Sequence, residues 1–142
     1  MAFPAADHTY SVDVPEGWAR TERSSVVTFT DKYNSIQIES LAAAAAPTPE
    51  SVKADNLGDV SVDPTYKLVD VKPVERKAGH GVVALFEIGS PPNKVTGKKA
   101  LLAVERYVFF HNGKDVVLTL SGAKGADNVD PWKTVSDSLK WL

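Results

Sequence analysis

Three runs of this chain are apolar at almost every position: Val82 to Ile88, Ala100 to Val104 continuing through Tyr107-Val108-Phe109-Phe110, and Val116 to Leu120. Side chains of a strand point alternately to its two faces, so a strand with one wet face alternates in polarity. These three do not. They predict the middle of a sheet that is covered on both sides, with helices as the covers. Asn112-Gly113, the favoured two-residue hairpin turn, joins the last two runs and makes the pairing antiparallel. The expected class is therefore α+β, an antiparallel sheet with helices on both faces. A chain of 142 residues buries roughly two-thirds of its unfolded surface, enough for such a core without disulfide or metal.

Other elements follow from local pattern. Tyr10-Ser11-Val12-Asp13-Val14 alternates as a half-buried strand and ends at Pro15-Glu16-Gly17, with Trp18 plugging the end of the core. Residues 25–30 and 35–40 form a hairpin across the turn residues Asp31 to Asn34. The alanine- and proline-rich stretch from Leu41 to Pro49 is a connection. Thr48 then caps a helix that has Pro49 at its first position, Glu50 at its positive end and a stop at Gly58. Tyr66 to Val74 is a strand with Lys67, Asp70 and Lys72 in water, and Gly79-His80-Gly81 is a turn. A last helix is capped by Asp130 and carries the stripe Trp132, Val135, Leu139 and Leu142. The expected core comprises Val26, Phe29, Phe86, Val104, Phe110, Leu118 and Trp132. The whole chain, 1–142, is one domain, with residues 1–8 a disordered lead or the trace of an upstream segment cut away.

Composition removes several functions. There is no cysteine, so disulfides, thiolate catalysis and zinc–thiolate sites are out. A net charge of −2 argues against nucleic-acid binding. Residues 1–71 hold five Lys/Arg against eleven Asp/Glu, and residues 72–142 eleven against seven. Either the surface is dipolar and orients a partner, or interleaved strands mix the halves. No apolar run approaches the ~20 residues of a membrane span.

Chemistry is sparse. His8, His80 and His111 share no spacing that would bring two to one metal, and no metal or cofactor is expected. The run Ser121 to Asn128 contains glycines and a lysine before a helix, yet its spacing is not that of a phosphate-binding loop, and a plain link is the simpler reading. No serine is flanked as in a nucleophile elbow. An enzyme would need His80 or His111 within reach of a carboxylate in a cleft. The basic, proline-containing loop Ser90 to Lys99 lies between buried strands, where loops often carry binding. Lys98, Lys99 and Trp141 are the candidate contact residues; there are no catalytic candidates.

The segment Tyr10 to Trp18, a strand running into Pro-x-Gly-Trp, resembles the opening of the PsbP-like α/β/α sandwich family. The far end is similar too: Arg106 to Phe110, the turn Asn112-Gly113, Val116 to Ser121 and a helix from near Asp130. Within that family the chain looks most like the actinobacterial lipoproteins of the LpqN type, although the anchoring cysteine is absent. The resemblance implies a non-catalytic, extracytoplasmic accessory module, lipid-anchored or secreted, that docks on an envelope protein. It supplies no catalytic residues and no metal positions that match here. The rival expectation is a carrier of a small ligand or lipid, with a pocket between sheet and helix and room beside Ala42 to Ala46. Membrane contact is expected only through an anchor outside this chain, and nucleic acid is not a partner.

Overall fold

The doubly apolar runs do form the middle of a sheet. The computed structural model describes residues 1–23, 26–90, 97 and 99–142. In chain order its elements are β1 (Ala2–Pro4), β2 (Tyr10–Asp13), β3 (Ala19–Arg23), β4 (Val26–Asp31), β5 (Asn34–Ala42), α1 (Pro49–Asp55), α2 (Gly58–Ser61), β6 (Lys67–Arg76), β7 (Gly79–Gly89), β8 (Leu101–His111), β9 (Lys114–Ala123), α3 (Val129–Ser138) and β10 (Lys140–Trp141). A seven-stranded antiparallel sheet has the order β3-β4-β5-β9-β8-β7-β6, and β1, β2 and β10 make a small second sheet. The α+β class with both faces covered is as the sequence predicts. β7, β8 and β9 are interior strands, with β9 in the middle.

One face buries Phe29, Ile38, Tyr107, Phe109, Leu118 and Leu120 under Val135 of α3, Leu139 and the small sheet. The other buries Val82, Ala84, Phe86, Val104 and Val108 under Val52 of α1 and Leu57. The small sheet is an addition to the expected helical cover. Residues 1–8, expected as a lead, contribute to it: β1 pairs with β2, and Phe3 packs edge-on against Phe29 at 5.4 Å.

Several local expectations shift. Thr48 caps α1 as expected, in a capping box with Ser51, and Pro49 opens the helix. The helix stops at Asp55 rather than Leu57, because the chain turns there to bury Leu57, and Gly58 starts the short α2 instead of ending a helix. Asp130 is not the cap of α3; Asn128 holds that position without a side-chain bond, and Asp130 and Pro131 fall in the first turn, where N–H groups have no helical partner. Leu142 is off the expected stripe: α3 ends at Ser138, Leu139 turns extended, and Trp141 pairs with Tyr10 in the small sheet. Val26, Phe110 and Trp132 are only half-buried. Val26 lies on a stretch of sheet that no helix reaches, and Phe109, one residue before Phe110, points into the fuller core.

Gly79 and Gly81 are not a turn. Gly79, with φ +115°, leaves the Lys77-Ala78 turn and begins β7, while Gly81 lies inside that strand. A Cβ at Gly81 would stand 2.6 Å from the Phe109 ring and 2.7 Å from the Val108 carbonyl oxygen. The missing side chain is what admits the ring. Gly81→Ala is therefore expected to destabilise the fold by about 1–3 kcal/mol through overpacking, read as a lower urea midpoint. Gly58→Ala, where an added Cβ meets open space, is expected to leave the midpoint unchanged or raised.

Candidate functional site

The two covers of the large sheet are unequal. α1 sits over β6 and β7, and beyond it on that face β5 and β9 mix polar residues with Leu41 and the buried Val117. The pairing of β5 with β9 sets Gln37 opposite Thr119, Glu39 opposite Val117 and Leu41 opposite Asp115. The next strand continues the first rung with Arg106 opposite Thr119. These rungs are the floor of a cleft, and the end of α1 (Asp55, Asn56) with the start of α2 (Gly58, Asp59) is its wall. Its volume is about 250 Å³. A second hollow of about 370 Å³ continues from it beneath Ala42 to Pro47, sharing Leu41, Asp55 and Asn56.

Arg106 is the buried charge at this place. It stands in an apolar strand, and its side chain is 6% exposed. Its Nε donates to Thr119 Oγ1 at 3.0 Å and its Nη1 to the Asn56 carbonyl at 2.8 Å. Nη1 and Nη2 also reach the two oxygens of Asp59 at 2.7 and 3.2 Å, and the guanidinium lies 5.6 Å from the Phe86 ring centre. A cation donating to the carbonyl at the end of α1 suits the negative end of that helix and holds the α1–α2 corner to the sheet. Its donors are committed to structure.

Asp115 is different. Among the described residues its Oδ1 is the buried side-chain oxygen with no hydrogen-bond partner. Burial pushes its carboxyl above the ordinary range. Neither Asp115 nor Glu39 nor Asp55 has an ion-pair partner among the described residues. Glu39 and Asp115 come from opposite halves of the chain and share this face because β5 pairs with β9.

Of the residues singled out from sequence, Lys99 and Trp141 are not brought together. Lys98 lies outside the described residues, as does most of the Ser90–Lys99 loop. Lys99 is exposed near Asp63. Trp141 is half-buried in β10, stacked on His111 at 4.8 Å, and its Nε1 donates to the Ala78 carbonyl at 2.9 Å. Lys99 precedes β8 and His111 ends it, so Lys99 and Trp141 are separated by roughly 35 Å of strand. His80 Nδ1 does come within 2.5 Å of Glu75 Oε1, but the two side chains are 60% and 74% exposed on a hairpin and face no cleft wall. Tyr107 donates to Glu105 at 2.6 Å and accepts from Arg76 at 3.2 Å; burial, then Glu105, pushes its phenol up to about 12. Arg76 also donates to Ser136 of α3, so this network fastens the helix to the sheet. Among the described residues no three His, Cys, Asp or Glu side chains converge as metal ligands would.

Glu39, Arg106 and Asp115 were not singled out from sequence. The signal for Arg106 was there: a charge at an inward position of a doubly apolar strand, with Thr119 in the matching strand. Asp115 carried none, since an acid one residue into a strand after Asn-Gly reads as hairpin solubility.

This architecture can be compared with solved structures. The chain has the PsbP/Mog1-like fold. It matches the solution structure of cyanobacterial PsbP (CyanoP) from Synechocystis sp. PCC 6803 with a TM-score of 0.70 and 15% identity, over 100% of this chain and 92% of that one. The Saccharomyces cerevisiae Ran-binding protein Mog1p matches with a TM-score of 0.64 and 9% identity, over 98% and 93%. LpqN, involved in cell envelope biogenesis of Mycobacterium tuberculosis, matches with a TM-score of 0.56 and 13% identity, over 100% and 90%. No family model and no curated protein matches the sequence. At such identities the likeness is one of fold.

Two outcomes test the site's electrostatics. Arg106→Leu is expected to cost about 1–3 kcal/mol for each buried acceptor left without its donor, the Thr119 hydroxyl and the Asn56 carbonyl. Asp59→Asn, at a side chain 62% exposed, is expected to cost less than about 1 kcal/mol because water replaces the carboxylate. Equal losses in chemical denaturation would show that the pair, rather than Arg106 itself, holds the corner. Elsewhere, Asp7 is held down to about 2, first by its hydrogen bond from Lys114 and then by Thr9. A lowered carboxyl stabilises above its ordinary pKa and loses that contribution as pH falls through the folded value. The amides of residues 7–9 are therefore expected to titrate near pH 2, and Lys114→Gln to move the midpoint up toward the ordinary 3.8.

Proposed function

We propose that this chain is a non-catalytic binding module that docks on another protein outside the cytoplasm, at the cell envelope. The observation that carries this reading is the open half of the sheet. Rigid strands and a capped helix build a cleft there; its buried cation is spent on structure, its hydroxyls Thr119 and Ser51 are engaged by Arg106 and by Thr48, and among the described residues no histidine lines it. Such a surface recognises and does not turn over substrate. The fold likeness to a Ran-binding protein and to a protein of cell envelope biogenesis is consistent with a docking role at the envelope. Attachment to a membrane comes through a lipid anchor outside these residues; among the described residues no helix is long and apolar enough to cross a membrane.

A lipid carrier is the weaker reading. There is a cleft between sheet and helix, as that idea requires, but Glu39, Asp55 and Asp115 line it. An acyl chain laid over them would desolvate carboxylates with nothing to compensate.

The test places a photo-crosslinking residue at Gln37, in the cleft floor, and separately at Lys133, on the exposed side of α3. Irradiation in intact envelopes is expected to trap one polypeptide from position 37 and not from position 133. Adducts only of lipid from position 37, or no polypeptide adduct from a folded domain, would overturn the docking reading.

A further inference from the structure

The two edges of the large sheet are built differently. β6, at one end, is blunted: the register slips between Leu68 and Asp70, Lys67 and Lys72 are exposed charges, and Pro73 has no donor. β3, at the other end, is five regular residues without proline or bulge, every one exposed. We propose that β3 is a self-association edge, pairing antiparallel with β3 of a second copy about a two-fold axis at Thr21 and setting Arg20 of each copy opposite Glu22 of the other. The pairing uses no residue of the cleft and is independent of what docks there.

Alternation along the strands fixes which main-chain groups are free. The hairpin from β4 to β5 turns through Lys32-Tyr33 with Asp31 opposite Asn34, and a two-residue turn closes on a hydrogen-bonded pair. Counting back, the main-chain groups of Phe29 and Val27 face β5, and those of Thr30, Thr28 and Val26 face β3. Their partners Ala19, Thr21 and Arg23 are spent on β4, so the N–H and C=O of Arg20 and Glu22 point out of the sheet edge. The same count from the Arg76–Gly79 pair turns Pro73 outward on β6, where its missing donor matters most.

A second strand must therefore bond to Arg20 and Glu22, and charge selects the register. Centring the pairing on Arg20 or on Glu22 sets like charges opposite each other, which is destabilising. Centring it on Ala19 or Arg23 carries both residues past the end of the facing strand. Centring on Thr21 sets acid against base twice and engages every free group of the two residues in four main-chain hydrogen bonds. Arg20 and Glu22 already meet within the strand, on the side where the guanidinium lies over Phe3 and Phe29. The second copy extends that pair into a ring of four alternating charges. On the other side Thr21, beside a hollow it shares with Val26 and Thr28, meets its own copy. Joining at β3 leaves a β6 at each end of the doubled sheet, so the contact closes at two copies.

The chain has no cysteine, so a single one reports on the axis. Thr21 and its copy form a pair without mutual hydrogen bonds, whose Cα atoms stand about 4.5 Å apart, within disulfide reach. Thr21→Cys is expected to oxidise to a covalent dimer about tenfold faster than Ala19→Cys, which the same axis sets opposite Arg23 and out of reach of its own copy. Equal rates, or a faster rate at position 19, would overturn the axis. The unsubstituted ¹⁵N-labelled chain, diluted from about 1 mM, is expected to show concentration-dependent amide shifts at residues 19–23 and faster diffusion on dilution, as a small contact gives. Arg20→Glu and Glu22→Arg each set like charges across the axis and are expected to weaken association about tenfold. Mixed one to one, the two variants again face acid with base at both places, and association is expected to return. Loss in each variant without recovery in the mixture would overturn the register, and an absence of concentration dependence at residues 19–23 would overturn self-pairing. Should Arg20→Glu loosen the packing over Phe3 and Phe29, the cysteine comparison leaves that arginine in place and decides alone.

Discussion

Everything in this molecule depends on three central strands having no wet face. β7, β8 and β9 carry apolar side chains in both directions, so each face of the sheet must be covered for the chain to fold at all. Local sequence cannot supply two equal covers. On one face α3 and the three-stranded sheet reach from β7 to β4, closing over Phe29, Phe109 and Leu120. On the other, seven residues of α1 and four of α2 are short, and they reach only part of the way. The cleft is the remainder of that shortfall. It sits where the side chains of β5 turn polar, so sequence and cover agree about where the apolar face ends.

Arg106 is the joint between the covered and uncovered parts. It stands in the central strand at the boundary, and its guanidinium ties a strand hydroxyl, a helix-end carbonyl and the first residues of α2 together. A hydrophobic residue there would pack well against Phe86 but would leave the α1–α2 corner with no anchor. This also explains why α1 is able to end where it does: a carbonyl at its end has found a donor in the sheet. The corner in turn holds Asp55 over the hollow beneath the alanines. Fold stability and cleft geometry therefore share one side chain, and Asp115 stays outside that network.

How much of this is legible in sequence depends on how local the cause is. The capping of α1 by Thr48 is legible because the bonds run within four residues. So is the Asn112-Gly113 hairpin, whose two residues both take positive φ, +49° and +77°, as such a turn demands. The central strands are legible from their two-sided apolarity. β3 is not: Ala-Arg-Thr-Glu-Arg at an exposed edge has no hydrophobic period and becomes a strand only because β4 pairs with it. β10 is two residues held by β2 from the other end of the chain, which no local pattern encodes. Gly81 misleads for a related reason. Beside Gly79 it looks like turn chemistry, yet its cause is an aromatic ring on the next strand.

The same reasoning explains why Lys99 and Trp141, conspicuous in sequence, do not line the cleft. A lone tryptophan and a lysine pair attract notice because exposed aromatics and basic loops are locally conspicuous. Trp141 turns out to be engaged by His111 and the Ala78 carbonyl, so its ring serves the seam between the small sheet and the hairpin ends. The cleft is assembled from Glu39, Asp55 and Asp115, which lie in three different elements and are each unremarkable in their own neighbourhood. Only strand order makes them neighbours: β9 must pair with β5 across the whole intervening chain for Asp115 to meet Leu41. A site made by topology has to be read from topology. Its charge is topological in the same way: residues 19–42 hold three basic and three acidic residues, and Glu39 comes to share a face with Asp115 only because β5 pairs with β9.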